Sequence, residues 1–433
     1  MLDIKFIREN KDLVAKAAQK KHLDFKVDEL IELDDKRRLL MTSSEKKRAE
    51  QNSASEKISA LGAASATGVG GAISPEERAT LIAAMKTVKA GLEQDELALK
   101  DVVAKWQNLM LHVPNIPDMS VPDGDSDADN KEIKTWGEQT KFADFTPKDH
   151  IELMTRLHMV DFERGSKVHG FRGYFLTGEG VRLCFAIWNY ALDFFAGKNF
   201  VPVIPPIIVR RINLFGTGYL PQGEEDMYKT QDGDYLAGTA EVPIMGLHAD
   251  EVLNLSDFPK RYLGFSPCYR REAGAHGKDI RGLIRVNEFY KFEQVILCEA
   301  NHEASVKYHE EVNRNIEEFM ESLNIPYRTV INCGGDLGLG QVKKYDVELW
   351  VPKEGKYREI SSASYFHDFQ CRRLNIRYKD AEGKMKYAHS LNSTALPSPR
   401  ILVSLVENFQ QADGSIKIPD ALVKYYGKTV ITI

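Results

Sequence analysis

Arg270 and Glu272 stand two residues apart, and Arg285, Phe289 and Glu293 follow at even spacing on a second segment. An arginine clamps phosphate oxygens, an aromatic ring lies on a flat heterocycle, and a carboxylate holds an ammonium. Together these types suit a nucleotide and an amino acid side by side. The same residues also read as paired surface charges on an amphipathic hairpin. Three other patches carry related chemistry. Thr239-Ala240-Glu241 lies after Gly238 and before Pro243; a threonine with a nearby carboxylate is also an ordinary helix start. Glu359-Ile360-Ser361-Ser362 ends an expected strand, and a carboxylate and hydroxyl three apart can hold a hard cation against phosphates. A solvated strand end reads the same way. Arg400 follows Asn392-Ser393-Thr394 and opens an apolar helix, Ile401 to Phe409. Positive charge at the positive end of a helix hints at an anion; the alternative is a surface arginine in a proline-rich turn. No Ser/His/Asp or Cys/His set stands out as a nucleophile. A reaction without one fits: a carboxylate attacks the α-phosphate of ATP in line, and the protein supplies position and charge.

These residues need a rigid frame. The stretch Cys268 to Glu293 reads as a hairpin, with a short strand around Tyr269, a return strand from Leu283, and a glycine-rich cationic loop between them. On a strand, Arg270 and Glu272 face the same side. The surrounding region, 148–433, mixes helices (148–164, about 179–197, about 301–323) with strands (172–176, 201–208, 283–298, 327–332, 346–351, 357–362, 373–380). Tight turns such as Glu354-Gly355 and Glu382-Gly383 join neighbouring strands. The expected fold is α+β, a largely antiparallel sheet flanked by helices. The run Gly334 to Gly340 lacks the spacing of a dinucleotide loop and reads as a plain loop.

Ahead of this region the chain changes character. Residues 1–27 form a small helical start, and 28–109 read as an antiparallel coiled-coil hairpin within a helical arm, 1–111. Leu81, Met85, Val88, Leu92, Leu99, Val102, Trp106 and Leu109 make a heptad seam in which Asp95 is the one polar slot. In the outgoing half Ser44, Lys47 and Gln51 interrupt the seam. The two halves flank a glycine-rich tip, Gly62 to Ile73. Roughly thirty residues per arm project about 45 Å. Lys36, Arg37, Arg38, Lys46, Lys47, Arg48 and Lys57 make the outgoing arm basic, which suits a nucleic-acid backbone or a solvated face. Prolines and an acidic run, Asp123 to Asp129, mark residues 112–147 as a linker.

The formal net charge of -5 gives no global basic field, so any RNA contact must be local. Five scattered cysteines with no CxxC pair argue against a disulfide framework. Charged residues interrupt the N-terminus and no apolar run is long enough for a bilayer. A cytoplasmic protein with no membrane partner is expected.

Along its whole length the sequence resembles the seryl-tRNA synthetases, a branch of the class II aminoacyl-tRNA synthetases. Arg270 to Glu293 is similar to class II motif 2, Phe200 to Arg210 to motif 1 (the dimer element), and Asn392 to Glu407 to motif 3. Phe145-Thr146-Pro147 with His150, Gly216-Thr217-Gly218 before Leu220-Pro221, Thr239-Ala240-Glu241, and Lys344-Tyr345-Asp346 with Glu348 and Trp350 resemble the seryl branch. The resemblance implies a homodimeric serine–tRNA ligase. It would form seryl-adenylate from L-serine, ATP and Mg²⁺, then load tRNA(Ser), with tRNA(Sec) as a second acceptor. Thr239, Ala240, Glu241, Glu293 and Thr394 would bind serine. Arg270, Arg271, Glu272, Val286, Phe289, Glu359, Ile360, Ser361, Ser362 and Arg400 would bind ATP, with Arg270, Glu272 and Arg400 catalytic. Glu359 and Ser362 would hold Mg²⁺, and the arm would grip the long variable arm of the tRNA across two subunits.

The sequence departs from the family pattern at Asn287-Glu288, where His-Gln is usual, and at Ala395-Leu396-Pro397-Ser398-Pro399, where glycines are usual. Alternation turns Glu288 away from Phe289. Two other readings stand beside this one: an amino acid ligase that loads a carrier protein, and a synthetase-like protein that only binds.

Overall fold

The computed structural model describes residues 2–67, 74–274, 277 and 279–432. The chain divides into two units: residues 3–16 with 24–113, and residues 1–2 and 17–23 with 114–433.

In the first unit, α1 (Ile4–Glu9) and part of α2 (Lys11–Lys20) precede two long helices, α3 (Val27–Thr67) and α4 (Pro75–Leu111). Ser74 caps α4 and forms a capping box with Glu77, and Pro75 opens the helix. The two helices pack antiparallel: Arg37 lies over Trp106, while Lys47 and Ser43 meet Asp95. All nine expected seam positions of α4 are buried or half-buried, while most positions between them are exposed. Two of the polar breaks are partners: Lys47 Nζ donates to Asp95 Oδ2 at 2.7 Å. Ser43 Oγ also donates to that oxygen, at 2.6 Å, and together these bonds lower the Asp95 pKa. The expected tip is shorter than its sequence suggested, since α3 continues through Gly62 to Thr67; residues 68–73 lie outside the described residues.

The second unit is built on an eight-stranded sheet: β1 (Lys131–Trp136), β2 (Val201–Val203), β3 (Lys260–Tyr269), β4 (Glu288–Cys298), β5 (Tyr327–Ile331), β6 (Lys343–Val351), β7 (Lys356–His367) and β8 (His389–Ser398). Their order is β1-β5-β6-β7-β8-β4-β3-β2, antiparallel throughout except for the β2–β3 pair. The stretch expected as a linker therefore carries an edge strand of this sheet. Strand β8 is not among the expected strands, because its run of small and proline residues hides a strand buried along most of its length. Four helices matter for the site: α5 (Gly178–Ala196), α6 (Glu241–Leu247), α7 (His302–Ser322) and α8 (Arg400–Asn408).

The return strand does not begin at Leu283 as expected. Residues 283–287 lie outside any strand, and β4 starts at Glu288. From there the alternation holds. Phe292 and Ile296 enter the main core, while Val295 and Leu297 join a second core with Ala240 and Ile244 of the α6 segment. Lys291 and Glu293 share the face of Val295 and Leu297. Gly264, paired with Glu293, lets α6 approach: an added Cβ would lie 2.4 Å from Ile244 Cδ1 and 2.7 Å from Ala240 Cβ.

Candidate active site

Two adjoining cavities open on that face of β4. Arg270, Lys291 and Thr394 border both. The narrower, about 60 Å³, also takes Glu272, Phe289, Glu359 and Arg400. The wider, about 390 Å³, takes Thr239, Glu241, Glu293 and Ser362. Residues far apart in the chain thus converge where β4, β7 and β8 lie side by side.

Two bulges set the phase. Between β6 and β7 the pairing shifts at Ile360, and between β4 and β8 it shifts at Ala395. Positions 359 and 362 would face opposite sides of a regular strand. One extra residue reverses the alternation, so Glu359 and Ser362 both reach the cavities. In the same way Thr394 and Pro397 border the narrow cavity together. Thr394 pairs with Glu293 across the strands, with Oγ1 and Oε2 3.4 Å apart.

Arg270 and Glu272 share a cavity for a different reason than expected. Strand β3 ends at Tyr269, and Glu272 takes a left-handed backbone with φ of 53°. Asn287 ties down this segment, its amide donating to the Arg270 and Arg271 carbonyls at 2.9 and 3.2 Å. Arg270 lies over the Phe289 ring, 5.4 Å from its centroid, and its Nε donates to the Gly238 carbonyl. Glu272 pairs with Arg285. Glu288 points away from Phe289 into a separate apolar hollow. At the start of α8, Arg400 donates to the carbonyls of Ile284 at 2.9 Å and Glu359 at 3.1 Å. Burial lowers its pKa while the Glu359 carboxylate, 3.8 Å away, pulls it back up.

In the wider cavity Glu241 is buried. Tyr219 donates to its Oε2 at 2.8 Å and Gln370 to its Oε1 at 2.6 Å. Ser390 in turn donates to Gln370. Burial, and then the charge of Glu293, push the Glu241 pKa up to about 7. Thr239, also buried, accepts from Lys291 and from the Glu241 backbone N–H. Asp346, paired with Ser362 across β6 and β7, has a buried Oδ1 without a hydrogen-bond partner among the described residues. Burial raises its pKa to about 6.

Not every expected contact points inward. Ser361 is buried and donates to the Thr394 carbonyl at 2.5 Å. Arg271 is exposed and borders neither cavity, and Ala240 packs beneath α6 in the second core. Sequence reasoning missed Lys291, although it lies in the same alternate register as Phe289 and Glu293. It also set aside the loop after Gly334, whose residues Gly338, Leu339, Gly340 and Gln341 wall the wider cavity. Lys21 Nζ holds that loop by donating to the carbonyls of Gly338, Leu339 and Gln341.

Glu359 and Ser362 offer hard oxygens beside the orphaned Asp346 oxygen, a donor set that fits Mg²⁺. No group of three or more His, Cys, Asp or Glu suited to a metal occurs among the described residues. A cation here would take its other ligands from phosphate and water.

Residues 1–117 match the seryl-tRNA synthetase N-terminal domain, and residues 227–409 the class II tRNA synthetase core domain (G, H, P, S and T). The serine–tRNA ligase of Deinococcus radiodurans is 42% identical, covering 99% of this chain and 98% of that one. That of Thermodesulfovibrio yellowstonii is 41% identical over the full length of both. The crystal structure of the Pyrococcus horikoshii seryl-tRNA synthetase, complexed with ATP, superposes with a TM-score of 0.90 at 38% identity, covering 100% and 99% of the two chains. The cytoplasmic enzyme of Naegleria fowleri, in complex with AMP, gives 0.86 at 29%, with the same coverage.

Proposed function

This chain belongs to the serine–tRNA ligase family, and from that premise we propose how its own residues carry out the reaction. It activates L-serine with ATP and transfers it to tRNA(Ser). The serine carboxylate oxygen attacks the α-phosphorus, an acyl–phosphate bond forms, and the bond to the β-phosphate breaks to release pyrophosphate. A terminal ribose hydroxyl of the tRNA then attacks the acyl carbon, and AMP leaves.

The observation that carries the assignment of roles is the pair of cavities joined at Arg270, Lys291 and Thr394. The wider cavity takes serine. Glu293 and Glu241 attract its ammonium, while Thr239 and Thr394 offer hydroxyls to its side chain. The narrow cavity takes ATP. Arg270 binds the α-phosphate, Phe289 and Val286 pack on the adenine, Glu272 lies at its edge, and Arg400 binds the far phosphates. Mg²⁺ held by Glu359 and Ser362 supplies further charge neutralisation when bound.

The helical arm binds the tRNA. Lys36, Arg38 and Lys46 are exposed along α3, whereas Arg37, Lys47 and Arg48 are engaged within the hairpin. tRNA(Sec) is a second acceptor in this reading. The enzyme works as a homodimer in the cytoplasm. An apolar hollow of about 630 Å³ beside α5, bordered by Phe185, which is 56% exposed, supports a second copy on this face. Among the described residues no helix is long and apolar enough to cross a membrane.

The test is charging by a chain lacking residues 30–108. It should keep serine-dependent pyrophosphate exchange and lose charging of tRNA(Ser). Equal charging with and without the arm would overturn the role given to it and favour a carrier-protein ligase.

A further inference from the structure

Lys291, the one lysine among the described residues lining either cavity, is 4% exposed. Its Nζ donates to Thr239 Oγ1 at 2.9 Å and Thr394 Oγ1 at 3.3 Å, and it pairs with Glu293. It thus occupies three of the four groups assigned to serine, Thr239, Thr394 and Glu293, while also bordering the cavity assigned to ATP. We propose that Lys291 is a catalytic residue that exchanges partners: it neutralises Glu293 before serine binds, then turns to the serine carboxylate and the α-phosphate during adenylate formation. The inference rests on the reading of the two cavities given above.

The exchange follows from charge. Glu293 is 2% exposed, and a buried carboxylate needs a cation beside it. Serine brings its own ammonium to the same oxygen. Two ammonium groups on one carboxylate repel each other, so serine releases Lys291 rather than adding to it. The release also frees the Thr239 and Thr394 hydroxyls for the serine side chain. The flexible four-carbon stem lets the charge travel while its base stays packed on β4.

The destination is set by the neighbours. Phe289 precedes Lys291 on the same face, and Arg270 lies over Phe289 at the junction of the cavities. There two anions must meet, the serine carboxylate and the α-phosphate. An oxygen of the carboxylate bonds to phosphorus, and pyrophosphate departs with the electron pair of the broken bond. No proton is transferred. Arg270 offsets the charge on the phosphate; the ammonium of Lys291 offsets the charge of the incoming carboxylate as well.

A fixed prop for Glu293 and a residue that exchanges partners give opposite signatures. The test uses the full-length protein with Lys291→Met, similar in size and uncharged. Serine affinity is measured by calorimetry without ATP, and adenylate formation in a single turnover. The expected result is a serine Kd within about threefold of wild type, or tighter, with adenylate formation slowed about 100-fold or more. Serine affinity lost by the same factor as the rate would show a fixed prop, and an unchanged rate would remove Lys291 from the chemistry; either overturns the proposal. If the methionine variant does not fold, Lys291→Gln is read by the same two results. Absence of serine-dependent exchange in the wild type would instead overturn the assignment of the cavities.

Discussion

Glu241 is buried between Tyr219 and Gln370 with its pKa raised to about 7, and it faces the cavity assigned to serine. Below that pH it is a neutral acid; above it, a second carboxylate that attracts the serine ammonium. The KM for serine should therefore fall as pH rises from about 6 to about 8, and Glu241→Gln should flatten that slope. A slope unchanged in the variant would separate Glu241 from serine binding. Arg270 is the arginine shared by both cavities. Arg270→Ala should slow adenylate formation by about 100- to 1,000-fold, read by pyrophosphate exchange. These positions were legible as residue types. Lys291 was not, because a lysine between an aromatic and a carboxylate looks like a solvated strand residue until its strand neighbours are known. Asn287 was legible only as a departure. Its amide holds the Arg270 and Arg271 carbonyls, a contact that depends on where β3 ends.

At the scale of elements, the heptad period of α4 was readable because it repeats over several turns, and the polar breaks in both arms became intelligible once Lys47 met Asp95. The site strands were harder. Bulges at Ile360 and Ala395 shift which residues face the cavities, and no local pattern announces such a shift. Strand β8 was hidden by prolines, and β1 lay in an apparent linker. The close approach of α6 to Gly264 makes that glycine a sensitive point. Gly264→Ala should destabilise the protein by about 1–3 kcal/mol in chemical denaturation and raise the KM for serine; a variant as stable and as active as wild type would contradict the packing described. The loop after Gly334 depends on Lys21, whose burial lowers its pKa to about 7. Lys21→Met leaves three carbonyls to find other partners, at a cost of about 1–3 kcal/mol. It should raise the KM for serine while leaving the KM for ATP near wild type, since the loop borders the wider cavity and not the narrow one.

For the whole molecule, the chain divides into two units, which suit the tasks proposed for them, the helical hairpin for RNA and the sheet for chemistry. That proposed division rests on the order of motifs along the sequence. The face proposed for a second copy was expected only from a motif; Phe185 on α5 is an exposed apolar side chain bordering the hollow there. Phe185→Glu should shift sedimentation toward monomer, and a dimer that persists would place the partner elsewhere. The central claim is that the paired cavities activate serine and no other amino acid. It is tested most directly by ATP–pyrophosphate exchange run separately with each of the twenty amino acids on the full-length protein. The account predicts exchange with serine that is lost in Arg270→Ala. Exchange with a different amino acid, or with none, would contradict it.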